Sequence, residues 1–236
     1  MIERPIKAVL CDMYGTLLFE EGGLDYAYAQ VAIQAGLDVK KFTWARNATL
    51  PDCWTGILPD GVQRARVMLQ IMGLEVSEQR AHDLADAEMR ARVPSVHLYP
   101  ATVPTLRALR KRGYRLGLIS DCTYLWRHVI RRVGLEPLFD VVTMSNEVGM
   151  TKPDPRMYLN TCQGLGVRPE ECVYVGDGGS SELEGAHALN ILAVLIDQEW
   201  GVGRRDDHRY YDYCISSLKE LLDLLPPERS SEGPVA

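Results

Sequence analysis

The chain has 236 residues, with 26 Lys plus Arg against 32 Asp plus Glu (a formal charge of −6), 46% hydrophobic residues and 25% charged ones. This balance excludes a mainly disordered chain, a collagen-like repeat and a coiled coil, and no apolar run approaches the ~18 residues of a membrane span. The acidic excess argues against nonspecific nucleic-acid binding, and the opening Met1-Ile-Glu-Arg-Pro-Ile-Lys7 lacks the apolar segment of a signal peptide, so a cytoplasmic protein with no nucleic-acid or membrane partner is expected.

Residues 6–11 form a short apolar run ending at Asp12, the pattern of a strand buried on both faces. Helical patterns follow. Residues 24–35 carry Leu24, Ala27, Tyr28, Val31 and Ala35 on one stripe before Gly36. Residues 61–72 are predicted to start at an Asp60 N-cap and stop at Gly73. Residues 77–93 start at Ser77, with Glu78 in the first turn, and are predicted to end at Pro94. Between the first two helices, Leu50-Pro-Asp-Cys-Trp-Thr-Gly56 reads as a Pro- and Gly-rich stretch, so Trp44 and Trp54 either line a pocket or pack between helices. Residues 20–95 are too long for a loop, and a small helical cap domain over the carboxyl edge of a sheet is expected.

From about residue 100 helix and strand patterns alternate. Helices are predicted over 104–112, 123–133, 154–165 and 180–190, and strands over 114–120, 141–144, 172–176 and 191–196. The expected architecture is α/β: a doubly wound, parallel, Rossmann-like sheet built from residues 1–19 and 96–225, with the cap inserted. Residues 226–236, rich in Pro, Ser, Glu and Gly, are expected to be disordered. The six cysteines form no Cys-x-x-Cys pair and read mostly as small buried hydrophobes. The histidines have no metal-ligand spacing; His82, His128 and His208 are expected at the surface and His187 in the core.

In such a sheet ligands sit beyond the carboxyl ends of the strands. Four of these ends or the following loops carry reactive groups: Asp12, Ser120, Lys152 and Asp177. The segments Asp12-Met-Tyr-Gly-Thr-Leu17, Leu118-Ile-Ser-Asp121, Lys152-Pro-Asp-Pro155 and Val175-Gly-Asp-Gly-Gly-Ser-Ser-Glu-Leu-Glu-Gly-Ala186 together resemble the haloacid dehalogenase-like hydrolases that carry a helical cap after the first motif. The resemblance implies that Asp12 is a nucleophile forming a covalent aspartyl intermediate, which divides one difficult displacement into two easier ones. It implies that Ser120 and Lys152 hold the transferring group, with a helix N-terminus near Thr123 favouring an anion. Thr16, Asp121 and Arg46 join them as expected substrate-binding residues, although Thr16 also suits a turn-ordering role and Arg46 a solvated helix position. Mg²⁺ is the implied cofactor, held by Asp12, the main-chain oxygen of Tyr14 and Asp177. Where the family usually has a second Asp in the last loop, this chain has Glu182. Glu182 either reaches the metal through water or belongs to the first turn of the following helix.

Tyr14 departs from the pattern. The family's phosphatases carry an Asp there, which protonates the leaving oxygen and then activates water; its 2-haloacid dehalogenases carry Tyr. A phenol of ordinary pKa ~10 is a poor base at neutral pH. Yet Asp177, where dehalogenases resemble Ser-Ser-Asn, would repel a haloacid's carboxylate. The expected function is therefore a Mg²⁺-dependent phosphatase acting on a small phosphorylated metabolite, as a monomer or homodimer. A metal-independent 2-haloacid dehalogenase and a non-catalytic binding protein are the alternatives.

Overall fold

The computed structural model describes residues 2, 4–198 and 210–227. In chain order the elements are β1 (Ala8–Cys11), β2 (Leu18–Glu20), α1 (Gly23–Gln34), α2 (Val39–Trp54), α3 (Gly61–Ile71), α4 (Glu78–Ser95), β3 (Val96–Leu98), α5 (Thr102–Lys111) and β4 (Arg115–Ser120). Then come α6 (Leu125–Arg132), β5 (Val141–Met144), α7 (Ser145–Val148), α8 (Pro155–Leu165), β6 (Cys172–Gly176), α9 (Glu182–Ala188), β7 (Leu192–Ile196), β8 (Tyr213–Ile215) and α10 (Leu221–Leu224). Among the described residues no helix is long and apolar enough to cross a membrane.

Six strands form one sheet in the order β5-β4-β1-β6-β7-β8, every pair parallel. The chain leaves β1 for β4 on one side and later returns to β6 on the other, so β1 lies at the point where strand order reverses, the place where such sheets bind ligands. Side chains alternate between faces with period two. Val9 and Cys11 of β1 and Val173 and Val175 of β6 join the apolar cluster that includes Leu106, Leu109, Val129 and Ile130 of α5 and α6. Ala8 and Leu10, with Cys172 and Tyr174, join the opposite cluster, against Met157, Tyr158 and Leu165 of α8 and Leu183 and Ala186 of α9. Burial on both faces explains why these strands read as unbroken apolar runs.

Helices α1–α4 bury a cluster of their own, including Val31, Phe42, Ala45, Met68, Leu69 and Leu84. The predicted caps form: Asp60 accepts from the Gln63 amide at 2.8 Å and Ser77 from the Arg80 amide at 3.3 Å. Two readings of this region are corrected. The stretch at residues 50–54 is the last turn of α2, with Pro51 inside the helix; Trp44, on the same helix, is 62% exposed. Pro94 lies inside α4, which runs to Ser95. Asp38, which accepts from the Lys41 amide, starts α2 at Val39. The antiparallel pair β2–β3 joins this helical insertion to the sheet, and neither it nor β8 was expected. His187 is exposed rather than in the core, its ring 6.1 Å from that of Tyr210. His208 and the expected tail from residue 228 lie outside the described residues.

A buried polar network crosses from the insertion to the sheet. Arg92 of α4 donates to both oxygens of Glu20 on β2, each at 3.0 Å, and also to the hydroxyl of Tyr28. Glu88 accepts from Arg64 at 3.0 Å and from the Tyr124 hydroxyl, just before α6, at 2.5 Å. Burial opposes the Glu88 charge, but Arg64 and Arg92 outweigh it and hold the carboxyl below its usual range. Removing one partner of such a buried pair strands the other charge. Arg92→Met is expected to cost about 3–5 kcal/mol in urea unfolding, whereas Arg156→Met, which removes an exposed pair with Asp154, should change the midpoint little.

Candidate active site

The site is assembled by strand phase. Asp12 continues β1, its amide bonded to the Val175 carbonyl at 2.9 Å. It is two residues beyond Leu10, so its side chain emerges on the face covered by α8 and α9. Lys152 stands three residues before α8, whose N-cap is Asp154. The Lys152 ammonium lies 2.6 Å from Asp12 Oδ1 and 2.5 Å from Glu182 Oε2. All three side chains are buried. Burial alone would push the lysine down, but Asp12 and Glu182 reverse this and raise it well above its usual value. Burial first and then the charge on Asp12 push the Glu182 carboxyl upward, and the Lys152 ammonium bonded to it opposes both.

Asp177 follows β6 and is half-buried, its Oδ1 accepting from the Gly179 amide at 2.9 Å. Its carboxyl lies directly beneath Gly15: a Cβ on that glycine would sit 2.9 Å from Asp177 Cγ, and Gly15 has φ +80°. Oxygens of Asp12, Asp177 and Glu182 come within 4.8 Å of one another. Three carboxylates and one ammonium leave two negative charges when all are ionised. Thr16 is buried and donates to Asp12 Oδ2 at 3.4 Å. Gln198, which the sequence reading did not single out, donates to the main-chain oxygens of Gly15 and Thr16 at 3.1 and 3.0 Å and so pins the turn from beyond β7.

Ser120 is buried at the end of β4, on the strand next to β1. Asp121 accepts from the Lys152 amide at 2.9 Å, which ties the loop after β4 to the segment that carries the lysine. Burial raises this carboxyl despite the lysine beside it. The Tyr14 ring stands edge-on to Trp126 at 5.7 Å, and its phenol is pushed up to about 12 by burial and by the charge of Glu20. Arg46 joins the helical insertion's own contacts: its guanidinium lies 4.0 Å from the Tyr28 ring centroid, 3.5 Å from Asp25, and donates to Asn47 at 3.1 Å. The structure thus brings Asp12, Thr16, Lys152, Asp177 and Glu182 together, with Asp121 behind the lysine, while the described side-chain contacts of Arg46 lie among α1 and α2.

The arrangement is a Rossmann-like sheet with a carboxylate–ammonium–carboxylate cluster at its switch point. The chain belongs to the haloacid dehalogenase-like hydrolase family, whose model matches residues 6–190. It is 34% identical over 209 residues to a phosphoserine phosphatase of Thermus thermophilus, covering 86% of this chain and 80% of that one. It is also 34% identical over 131 residues to a glyceraldehyde 3-phosphate phosphatase of Methanopyrus kandleri, a match spanning 54% of this chain and only 56% of that protein's length. The crystal structure of a phosphatase of this family from Thermococcus onnurineus superposes with a TM-score of 0.66 at 30% identity, covering 95% of this chain and 100% of that one. A 2-haloacid dehalogenase from Pseudomonas syringae shares the fold at 24% identity and TM-score 0.72, covering 93% and 97%.

The contact between Gly15 and Asp177 yields a double-mutant test. Gly15→Ala is expected to destabilise by about 1–3 kcal/mol from its positive φ alone, with a further loss from displacing Asp177. In an Asp177→Gly background that further loss should vanish, which unfolding midpoints of the four proteins in the cycle would reveal.

Proposed function

We propose that this protein is a metal-dependent phosphatase acting on a small phosphorylated metabolite. The observation that carries the reading is the Asp177 carboxyl packed beneath Gly15, beside Asp12. A buried cluster with surplus negative charge repels a haloacid's carboxylate, and it suits a divalent cation together with a phosphoryl group. Mg²⁺ keeps several waters and takes one or two carboxylates. The donor set fits: Asp12 and Asp177 would hold the ion, with the main-chain oxygen of Tyr14 as the third protein ligand implied by the first-motif resemblance. Bound there, Mg²⁺ would neutralise charge on the phosphoryl oxygens.

In the proposed reaction an Asp12 oxygen attacks phosphorus as the bond to the leaving oxygen breaks, and water then cleaves the aspartyl phosphate to inorganic phosphate. Lys152 stabilises the equatorial charge, and Ser120 contributes a hydroxyl donor. The helical insertion acts as a cap that excludes water and selects the substrate. The phosphatase-named relatives above support the phosphoryl chemistry; which metabolite is hydrolysed is a matter for the cap side chains.

Tyr14 favours the dehalogenase alternative, because displacement of halide needs no leaving-group acid. Its raised phenol neither accepts a proton at neutral pH nor donates one readily. Under the phosphatase reading the leaving group must therefore depart unassisted. Acyl and aryl phosphates should be hydrolysed much faster than alkyl phosphates, with activity lost in EDTA and restored by MgCl₂. Equal rates for the two ester classes would overturn the role given to Tyr14, and chloride release from 2-chloropropionate in EDTA would establish the alternative.

Tyr14→Asp should raise turnover of alkyl phosphates by about 10²-fold while lowering the melting temperature, since the ring's packing on Trp126 is lost. Steady-state rates and a thermal melt on the same preparation would check both halves.

A further inference from the structure

Both oxygens of Glu182 are already committed to protein donors. Oε1 accepts from the Gly178 amide at 3.0 Å, and Oε2 accepts from Lys152 Nζ at 2.5 Å and from the Tyr174 hydroxyl at 2.8 Å. The Tyr174 oxygen in turn lies 3.4 Å from Lys152 Nζ. The Glu182 main-chain carbonyl accepts from the Tyr158 hydroxyl at 2.8 Å, and the Tyr158 ring packs edge-on to Tyr174 at 5.5 Å. Space for the carboxyl comes from Gly176: a Cβ there would lie 2.6 Å from Glu182 Cδ and 3.0 Å from Tyr174 Cε1. Glu182 and Tyr174 are completely buried, whereas Asp177 is half-buried.

We propose that Glu182 and Tyr174 are a positioning pair for Lys152, and that the divalent ion is bound by Asp12 and Asp177 with no direct bond from Glu182. This assignment rests on the phosphatase reading. To reach the ion, Glu182 would have to release the ammonium or the phenol, both buried, or the half-buried Gly178 amide, leaving that donor unpaired. Held as it is, the carboxylate fixes the lysine against Asp12. Tyr174 keeps the carboxylate turned towards the lysine by occupying the same oxygen. Tyr174 is in phase with Gly176 on β6, so one strand face supplies both the phenol and the gap that the carboxyl fills.

Calorimetric titration separates the two roles. MgCl₂ is titrated into wild type, Glu182→Gln, Glu182→Asp and Tyr174→Phe, and inorganic phosphate is then titrated into each protein saturated with Mg²⁺. If Glu182 positions the lysine, Glu182→Gln leaves the Mg²⁺ dissociation constant within about 3-fold of wild type and weakens phosphate by about 10-fold or more. Tyr174→Phe shows the same split to a smaller degree, and Glu182→Asp recovers part of the phosphate affinity. A merely structural role for Tyr174 would lower the melting temperature without moving phosphate relative to Mg²⁺, and that result would overturn its assignment. Loss of Mg²⁺ affinity by about 10-fold or more in Glu182→Gln, with phosphate unaffected or falling in step, would make Glu182 a ligand and overturn the proposal. Tyr174→Phe and Glu182→Asp carry the test if Glu182→Gln does not fold. Wild type binding neither Mg²⁺ nor phosphate would overturn the phosphatase reading itself, and this inference with it.

Discussion

The ammonium of Lys152, buried between Asp12 and Glu182, is the interaction on which the rest of the site depends. A lysine withdrawn from water is stable as a cation only if opposite charge meets it closely, and two carboxylates near 2.5 Å do so. Each partner is delivered by a different part of the sheet: Asp12 by β1, Glu182 by the start of α9 after β6, and Lys152 by the approach to α8. The parallel register that sets β1 between β4 and β6 is thus the means by which distant parts of the chain converge. Asp121, bonded to the lysine's amide, fixes the fourth corner. The same geometry gathers the carboxylates of Asp12, Asp177 and Glu182 around one ammonium, and the proposed binding of a divalent cation rests on that surplus of negative charge.

A second buried electrostatic assembly lies where the helical insertion meets the sheet. Glu20, on the short strand just after the first motif, and Arg92, near the end of α4, are both almost fully buried and bonded through both carboxylate oxygens. Trp126 lies beside Arg92 and also against Tyr14, so the side chain that departs from the phosphatase pattern is packed into the junction between insertion and sheet. The Tyr14 ring is part of that packing, and the raised phenol follows from it. One residue therefore links the chemistry expected of the first motif to the way the insertion is held.

Legibility in the sequence followed the strength of the local signal. The five predicted strands were readable because each is a short, mostly apolar run, and the central ones, Ala8–Cys11 and Cys172–Gly176, are buried on both faces. Helices with polar N-caps, such as Asp60 before α3, were equally plain. The misread elements lacked such signals. In α2, Pro51 and the Gly56 that follows suggested a connection, although packing of Phe42, Ala45 and Cys53 makes it a helix. Strands β2, β3 and β8 have three residues each, too few for a period to show. Arg46 illustrates a different limit: its type suggested an anion contact, but the Tyr28 ring and Asp25 engage it within the insertion.

By itself the sequence determined the class of fold, the order of the motifs and the chemistry available at each strand end, because these depend on residue type and local pattern alone. It left the role of Glu182 open between a metal contact and a helix's first turn. Only the tertiary structure decided what surrounds that carboxyl. Tyr174, Gly176 and Lys152 are brought to it by strand phase and by the packing of α8 against β4 and β5, and no local pattern records which long-range partners a buried side chain will meet. A charge buried on folding takes its character from whatever is folded around it, and that is a property of the assembled sheet and helices rather than of any segment.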